Sequence, residues 1–166
     1  MRIGGVEVNG PNEVLLVLPR EEGDIIIKAR AVLDMDVFEE ICPEPKPPAL
    51  RTKDGVEPNI KDPGFKQQMA NYNEKRLAFI VVKSLEPSEI EWDTVDPDNP
   101  ESLENWQEDF RNAGLATVEI NRIIQIVMEA NALDESKLEA ARQVFLRGQR
   151  QAAEKSSGQA TEPAST

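Results

Sequence analysis

The side chains able to do chemistry are few and poorly matched to one another. Histidine is absent, which removes the commonest general base near neutral pH and the commonest metal ligand. The single cysteine, Cys42, stands in Ile41-Cys42-Pro43. With no histidine to activate it, it reads as a buried structural thiol in preference to a nucleophile. Alone it can form no intramolecular disulfide, which fits a reducing compartment. Ser156-Ser157-Gly158 falls in an expected tail and lacks a positioned general base. There is no phosphate loop, dinucleotide fingerprint or nucleophile elbow.

What remains is carboxylate. The 166 residues hold 31 Asp and Glu against 19 Lys and Arg, a net charge of −12. Ten of those acids, and no Lys or Arg, lie between Ser84 and Phe110. Asp93, Asp96, Asp98 and Glu101 could crowd one loop. A calcium loop, however, needs oxygen ligands at alternating positions, a central glycine and a late bidentate glutamate. Pro97 and Pro100 interrupt that spacing and the glycine is missing, so a solvated acidic loop is expected, with no metal or other cofactor. Nor does any carboxylate pair carry a mark of burial that would separate two pKa values for acid and base work. The charge repels phosphate backbones, so neither nucleic acid nor an anionic membrane is an expected partner. It serves solubility, and it is compatible with a basic protein.

Trp92 and Trp106 are the two side chains with most to offer a partner. Each lies among acids and prolines instead of inside an apolar run. They either fold back to anchor the acidic stretch on the helices, or stand exposed for binding.

The elements that must position these residues can be read along the chain. Hydrophobic residues make up 39% of it, enough for one modest core. Ile3 to Val8, Glu13 to Leu18 and Asp24 to Val32 read as strands separated by turn formers. In the third, Ile25, Ile27, Ala29 and Ala31 alternate with Ile26, Lys28 and Arg30, the period of a sheet with one buried face. Asp34 is placed to cap a short helix through Ile41. Pro43-Glu44-Pro45-Lys46-Pro47-Pro48 should be extended and stiff, a spacer or a groove ligand, leading into a polar loop to about Lys61.

Asp62-Pro63 starts a helix over about Gly64 to Lys83. Phe65, Met69, Tyr72, Arg76 and Phe79 lie near one stripe of it, and Leu77, Ile80 and Val81 mark a core-forming second half. Ile90-Glu91-Trp92 is expected as a short strand or a docked segment. Asp96-Pro97 or Asn99-Pro100 opens a helix carrying Leu103, Trp106 and Phe110, closed by Gly114 in the left-handed conformation. Thr117 caps the next, with Ile120, Ile123, Ile124 and Val127 on one face and Asn131 at its end. Asp134 caps a last helix with Leu138, Ala141 and Phe145, forming a helical hairpin. Ala152 to Thr166 has no aromatic or branched aliphatic residue and is expected to be a flexible tail. No run approaches a membrane span, and no basic-then-apolar start suggests a signal peptide, so a cytoplasmic protein is expected.

The expected organisation is α+β: a small N-terminal antiparallel sheet with a short helix (1–42), a Pro-rich loop (43–61), a helical region (62–149) and a tail (150–166). Within it, Ser84-Leu85-Glu86-Pro87-Ser88 leads through Ile90-Glu91-Trp92 into a tryptophan-bearing helix. Asn121-Arg122-Ile123-Ile124 with Val127 to Leu133 follows, then Ala141-Arg142-Gln143-Val144-Phe145-Leu146 before the tail. Over about residues 64 to 166 this order of parts resembles the small tail assembly chaperones of long-tailed bacteriophages. The resemblance implies an acidic, non-enzymatic, mainly helical protein of the host cytoplasm. Such a protein coats the tape measure protein, helps recruit tail tube subunits and is absent from the finished virion. The β-rich first third departs from that mostly helical pattern. No binding residues follow from the resemblance. From apolar pattern alone, Leu103, Trp106, Ile123, Val127 and Phe145 are the expected partner contacts. Two other classes stay open: a structural head, neck or tail component locked in by strand addition, and an enzyme or metal protein built on the carboxylates.

Overall fold

The computed structural model of the protein describes residues 1–133 together with 139, 142–144 and 147. The expected last helix, with Leu138, Ala141 and Phe145, and the expected tail lie outside the described residues or nearly so. The chain divides into two compact units, Met1–Asn131 and Ala132–Thr166. In the second, the Glu139 carboxylate accepts from Gln143 Nε2 at 2.7 Å and lies 3.7 Å from Arg142 Nη1, pairs of helical spacing. The first unit holds the core.

That unit is α+β, with short antiparallel strand pairs first and helices after them. Instead of one small sheet there are three separate hairpins. Ile3 to Val8 is not a single strand: β1 (Arg2–Ile3) turns back into β2 (Val6–Glu7) through Gly4-Gly5. Both glycines have positive φ, 57° and 85°, as a two-residue hairpin turn of the type I′ class requires. The central pair, β3 (Glu13–Leu18) and β4 (Ile25–Arg30), keeps its expected places and runs in register from Glu13↔Arg30 to Leu18↔Ile25. After the short helix α1 (Asp36–Ile41), the polar loop contains a third hairpin, β5 (Ala49–Thr52) with β6 (Gly55–Pro58), exposed along its whole length.

Core formation centres on α2 (Pro63–Ser84). Asp62 caps it as expected, its Oδ1 accepting from the Phe65 amide at 2.8 Å, with proline in the first turn. Most of its second half is buried: Ala78, Phe79, Ile80, Val81, Val82 and Ser84, with Leu85 after it. A helical stretch this apolar must be enclosed by other elements. Here Phe38 of α1 is fully buried, its ring 5.4 Å from Tyr72 and 5.2 Å from Phe79. Leu77 is a correction, since it is exposed on the remaining face.

Two caps also differ from expectation. Asp34 accepts from the Asp36 amide, but Met35 holds the cap position of α1. The last described long helix, α4 (Thr117–Ala130), is capped at Ala116 with Thr117 in its first turn. Alanine has no acceptor to offer, so only the return half of a capping box forms, Glu119 Oε2 accepting from the Ala116 amide at 2.9 Å.

α4 is fastened beside β3 at both ends. Arg20, just past the strand, makes a bidentate pair with Glu119 in the first turn of α4 at 2.7 and 2.9 Å. Asn12, just before the strand, donates from Nδ2 to the carbonyls of Glu129 and Ala130, two of the acceptors a helix end leaves open. Helix and strand therefore run antiparallel. Asn131 completes the junction, with Oδ1 accepting from the Val32 amide and Nδ2 donating to Ser84 Oγ and to the Val127 carbonyl. Among the described residues no helix is long and apolar enough to cross a membrane.

The helix α3 (Trp106–Asn112) starts later than Asp96-Pro97 or Asn99-Pro100, after a 310 turn at Leu103–Asn105. Those Asp and Asn side chains close tight turns instead, Asp96 Oδ1 accepting from the Asp98 amide and Asn99 Oδ1 from the Glu101 amide. Gly114 ends α3 at φ 88°. Its amide donates to the Arg111 carbonyl and the Leu115 amide to that of Phe110, the paired bonds of a Schellman motif. A Cβ at Gly114 would meet nothing within 4 Å, so only backbone strain opposes a side chain. Gly114→Ala should therefore cost about 1 kcal/mol, readable as a lowered denaturation midpoint, while Asn there should cost less.

Candidate interaction surface

Four of the five side chains picked out by apolar pattern are in the core. Leu103, Ile123 and Val127 are fully buried, and Trp106 is 4% exposed. They pack the folded chain and offer a partner no surface, which corrects their expected role. Phe145, the fifth, lies outside the described residues. The two tryptophans separate: Trp106 is an internal anchor, whereas Trp92 is half-buried at the rim of the core.

Two surfaces stand out among the described residues. The first is the β3–β4 hairpin. Alternation turns Leu18, Ile27 and Ala29 inward and leaves Leu15, Val17 and Ile26 exposed on the outer face. Val17 stands opposite Ile26 and Leu15 opposite Lys28. The bond from the Ala31 amide to the Asn12 carbonyl sets the parity of the ladder. Even-numbered residues of β3 bond to β4, and the backbone groups of Glu13, Leu15 and Val17 turn to the free edge. Among the described residues nothing pairs with them. By the same parity Lys28 faces outward on β4. There the Ser88 hydroxyl accepts from the Lys28 amide at 2.7 Å and donates to its carbonyl at 2.8 Å. One edge is thus blocked by a side chain, and at the other no backbone hydrogen bond is made among the described residues.

The second surface is an apolar cleft of about 180 Å³. Ile25 and Ile27 form part of its wall, and Ile90, Trp92, Phe110 and Leu115 the rest, with Glu91 and Asp93 also lining it. The segment Ile90-Glu91-Trp92 is docked, not a strand. Trp92 lies against Phe110 at 5.2 Å between ring centres and an angle of 57°.

Asp109 holds that segment in place. It is 5% exposed. Its Oδ2 accepts from the amides of Asp93 (2.9 Å) and Thr94 (3.0 Å), and Oδ1 from the Thr94 hydroxyl (2.7 Å). Burial pushes its carboxyl up, but the bonds from Thr94, Asp93 and Val95 outweigh this and hold it below the ordinary aspartate range. No sequence signal distinguished Asp109 from the nine other acids of its stretch, or Ser88 from any other serine.

The remaining reactive groups are occupied or quiet. Tyr72 donates to Glu39 Oε1, and burial together with that carboxylate pushes its hydroxyl up to about 12. Cys42 is partly buried, and burial raises its thiol, Lys75 opposing. Glu101 pairs with Lys75. Among the described residues no three His, Cys, Asp or Glu side chains gather as a metal site, and no buried side-chain polar atom lacks a partner. No family model, curated protein or solved structure matches the chain.

Proposed function

We propose that this chain is a non-enzymatic assembly chaperone of a long-tailed phage. It binds tape measure and tail tube proteins in the host cytoplasm while the tail is built. The observation that carries the protein-binding part is the outer face of the central hairpin, where Leu15, Val17 and Ile26 are exposed together on a chain of charge −12. Exposed apolar side chains in one patch mark an association surface, and strong net charge keeps such a surface from promoting self-precipitation. The phage setting is supported by the resemblance over residues 64 to 166 and by nothing else.

A second reading is favoured by the open edge of β3. A structural head, neck or tail component could lock into a neighbour by strand addition along Glu13–Val17. Mass spectrometry of purified virions, quantified against the major tail protein, separates the two. The chaperone is present in infected-cell lysate and missing from particles; a fixed stoichiometry in particles overturns it in favour of the structural role.

Substitution of the outer face tests the shared premise. Leu15→Lys with Val17→Lys should leave stability within about 0.5 kcal/mol per site, as at other exposed positions, while recovery of tail proteins in pull-down from lysate falls. Unchanged recovery would remove this face from the reading.

A further inference from the structure

The cleft beside Trp92 has features that the hairpin face lacks. At about 180 Å³ it is below the range of sites for metabolite- or drug-sized ligands. It is slightly larger than an apolar cavity of 150 Å³ that holds a benzene ring, so it matches one large side chain. Its polar members make no demand on a ligand, because Asp109 spends both oxygens on Asp93 and Thr94. The only other charged groups lining it are Glu91 and Asp93, both exposed and both acidic, in a stretch with no Lys or Arg. A wider hollow of about 430 Å³ elsewhere carries Arg30 and Lys83 with Asp34 and Glu86, and so has no preference of sign.

We propose that the Trp92 cleft receives a single apolar side chain, leucine or phenylalanine in size, from a lysine- or arginine-rich segment of a partner protein. The apolar walls supply the anchor and the acidic rim selects the flanking charge. The assignment rests on the protein-binding reading above and names the chemistry of one partner segment.

The test uses the full-length chain labelled with nitrogen-15 at its two indoles, assigned through Trp92→Phe. The probe is a lysine-flanked peptide with one central leucine. Its controls are a twin with alanine at the centre and a twin with glutamate flanks. The leucine peptide shifts the Trp92 indole signal and leaves that of Trp106 in place. The alanine twin binds at least about tenfold more weakly, since three carbons are lost from an apolar pocket, and the glutamate twin binds more weakly still. Ala113→Phe, on an exposed wall residue of the cleft, abolishes the shift while the melting curve is retained. Glu91→Lys weakens binding without filling the cleft.

Equal binding of the leucine and alanine peptides would reduce the site to an undirected acidic surface and overturn the proposal. So would a shift at Trp106 alone, or none at millimolar peptide. These failures are distinct from failure of the functional reading. A chain that captures tail proteins and is missing from virions, yet ignores the peptides, loses only the cleft. A chain that binds the peptides but is built into virions keeps the cleft and loses the chaperone role.

Discussion

Trp106→Ala should lower the free energy of unfolding by about 3–5 kcal/mol, the range for removing a large aromatic from a packed core. The indole is 4% exposed and meets Phe110 edge-on at 6.0 Å and 82°. Domains of this size are stable by about 5–15 kcal/mol in all, so the loss is a large share of the total. Denaturant titration should show a lower midpoint with an unchanged slope. Trp92→Ala removes an indole that is only half-buried and should cost clearly less. If the two variants lose equal stability, the distinction between an internal anchor and a surface wall is wrong.

The second large effect is at Asp109. Removing its carboxylate takes away the acceptor of the part-buried bonds from the Asp93 and Thr94 amides and from the Thr94 hydroxyl. Asp109→Ala should cost about 3 kcal/mol, as for loss of a charge-assisted hydrogen-bond set. Asp109→Asn should cost less, because one amide oxygen can serve both backbone donors and its NH2 can donate to the Thr94 hydroxyl. The pH dependence has a definite sign. The folded carboxyl titrates below its unfolded counterpart. Its stabilisation is therefore complete above about pH 4, where the unfolded group is ionised, and is lost as pH falls through the lower folded value. The Asn variant should lack that component, so the two stability curves should converge on acidification. Curves that stay parallel would show that the carboxylate charge contributes nothing.

Much of the fold was legible because local rules and tertiary packing agree. Asp62-Pro63 starts α2 and Gly114 stops α3 through short-range chemistry that packing does not override. The alternation over Ile25 to Ala31 identified the buried face of β4. The outer hairpins were missed for a physical reason. β5 and β6 are exposed on both faces, so no alternation is written into them, and β1 and β2 are two residues each. Leu77 was assigned to the core because it belongs to an apolar run, yet α2 leaves one face uncovered there.

The site was less legible than the fold. Apolar periodicity reports which face of a helix is buried, not whether it is buried against its own chain or another. Leu103, Ile123 and Val127 follow that pattern and are consumed internally. The surfaces that stay available depend on contacts distant in sequence. Asp109 fixes residues 93 and 94, and that in turn sets how far Trp92 stands out. Ser88 reaches Lys28 across 60 positions.

That last contact bears on stoichiometry. A hairpin with two open edges can template in both directions and grow into a ribbon, which is how strand-rich proteins polymerise. With the Ser88 hydroxyl satisfying both backbone groups of Lys28, this chain has one valence on its central hairpin. Two copies paired β3 to β3 would present only their blocked β4 edges, so such pairing would end at a dimer instead of a fibre. Ser88→Ala should free the backbone groups of Lys28 and so restore the second valence, read as concentration-dependent association by light scattering.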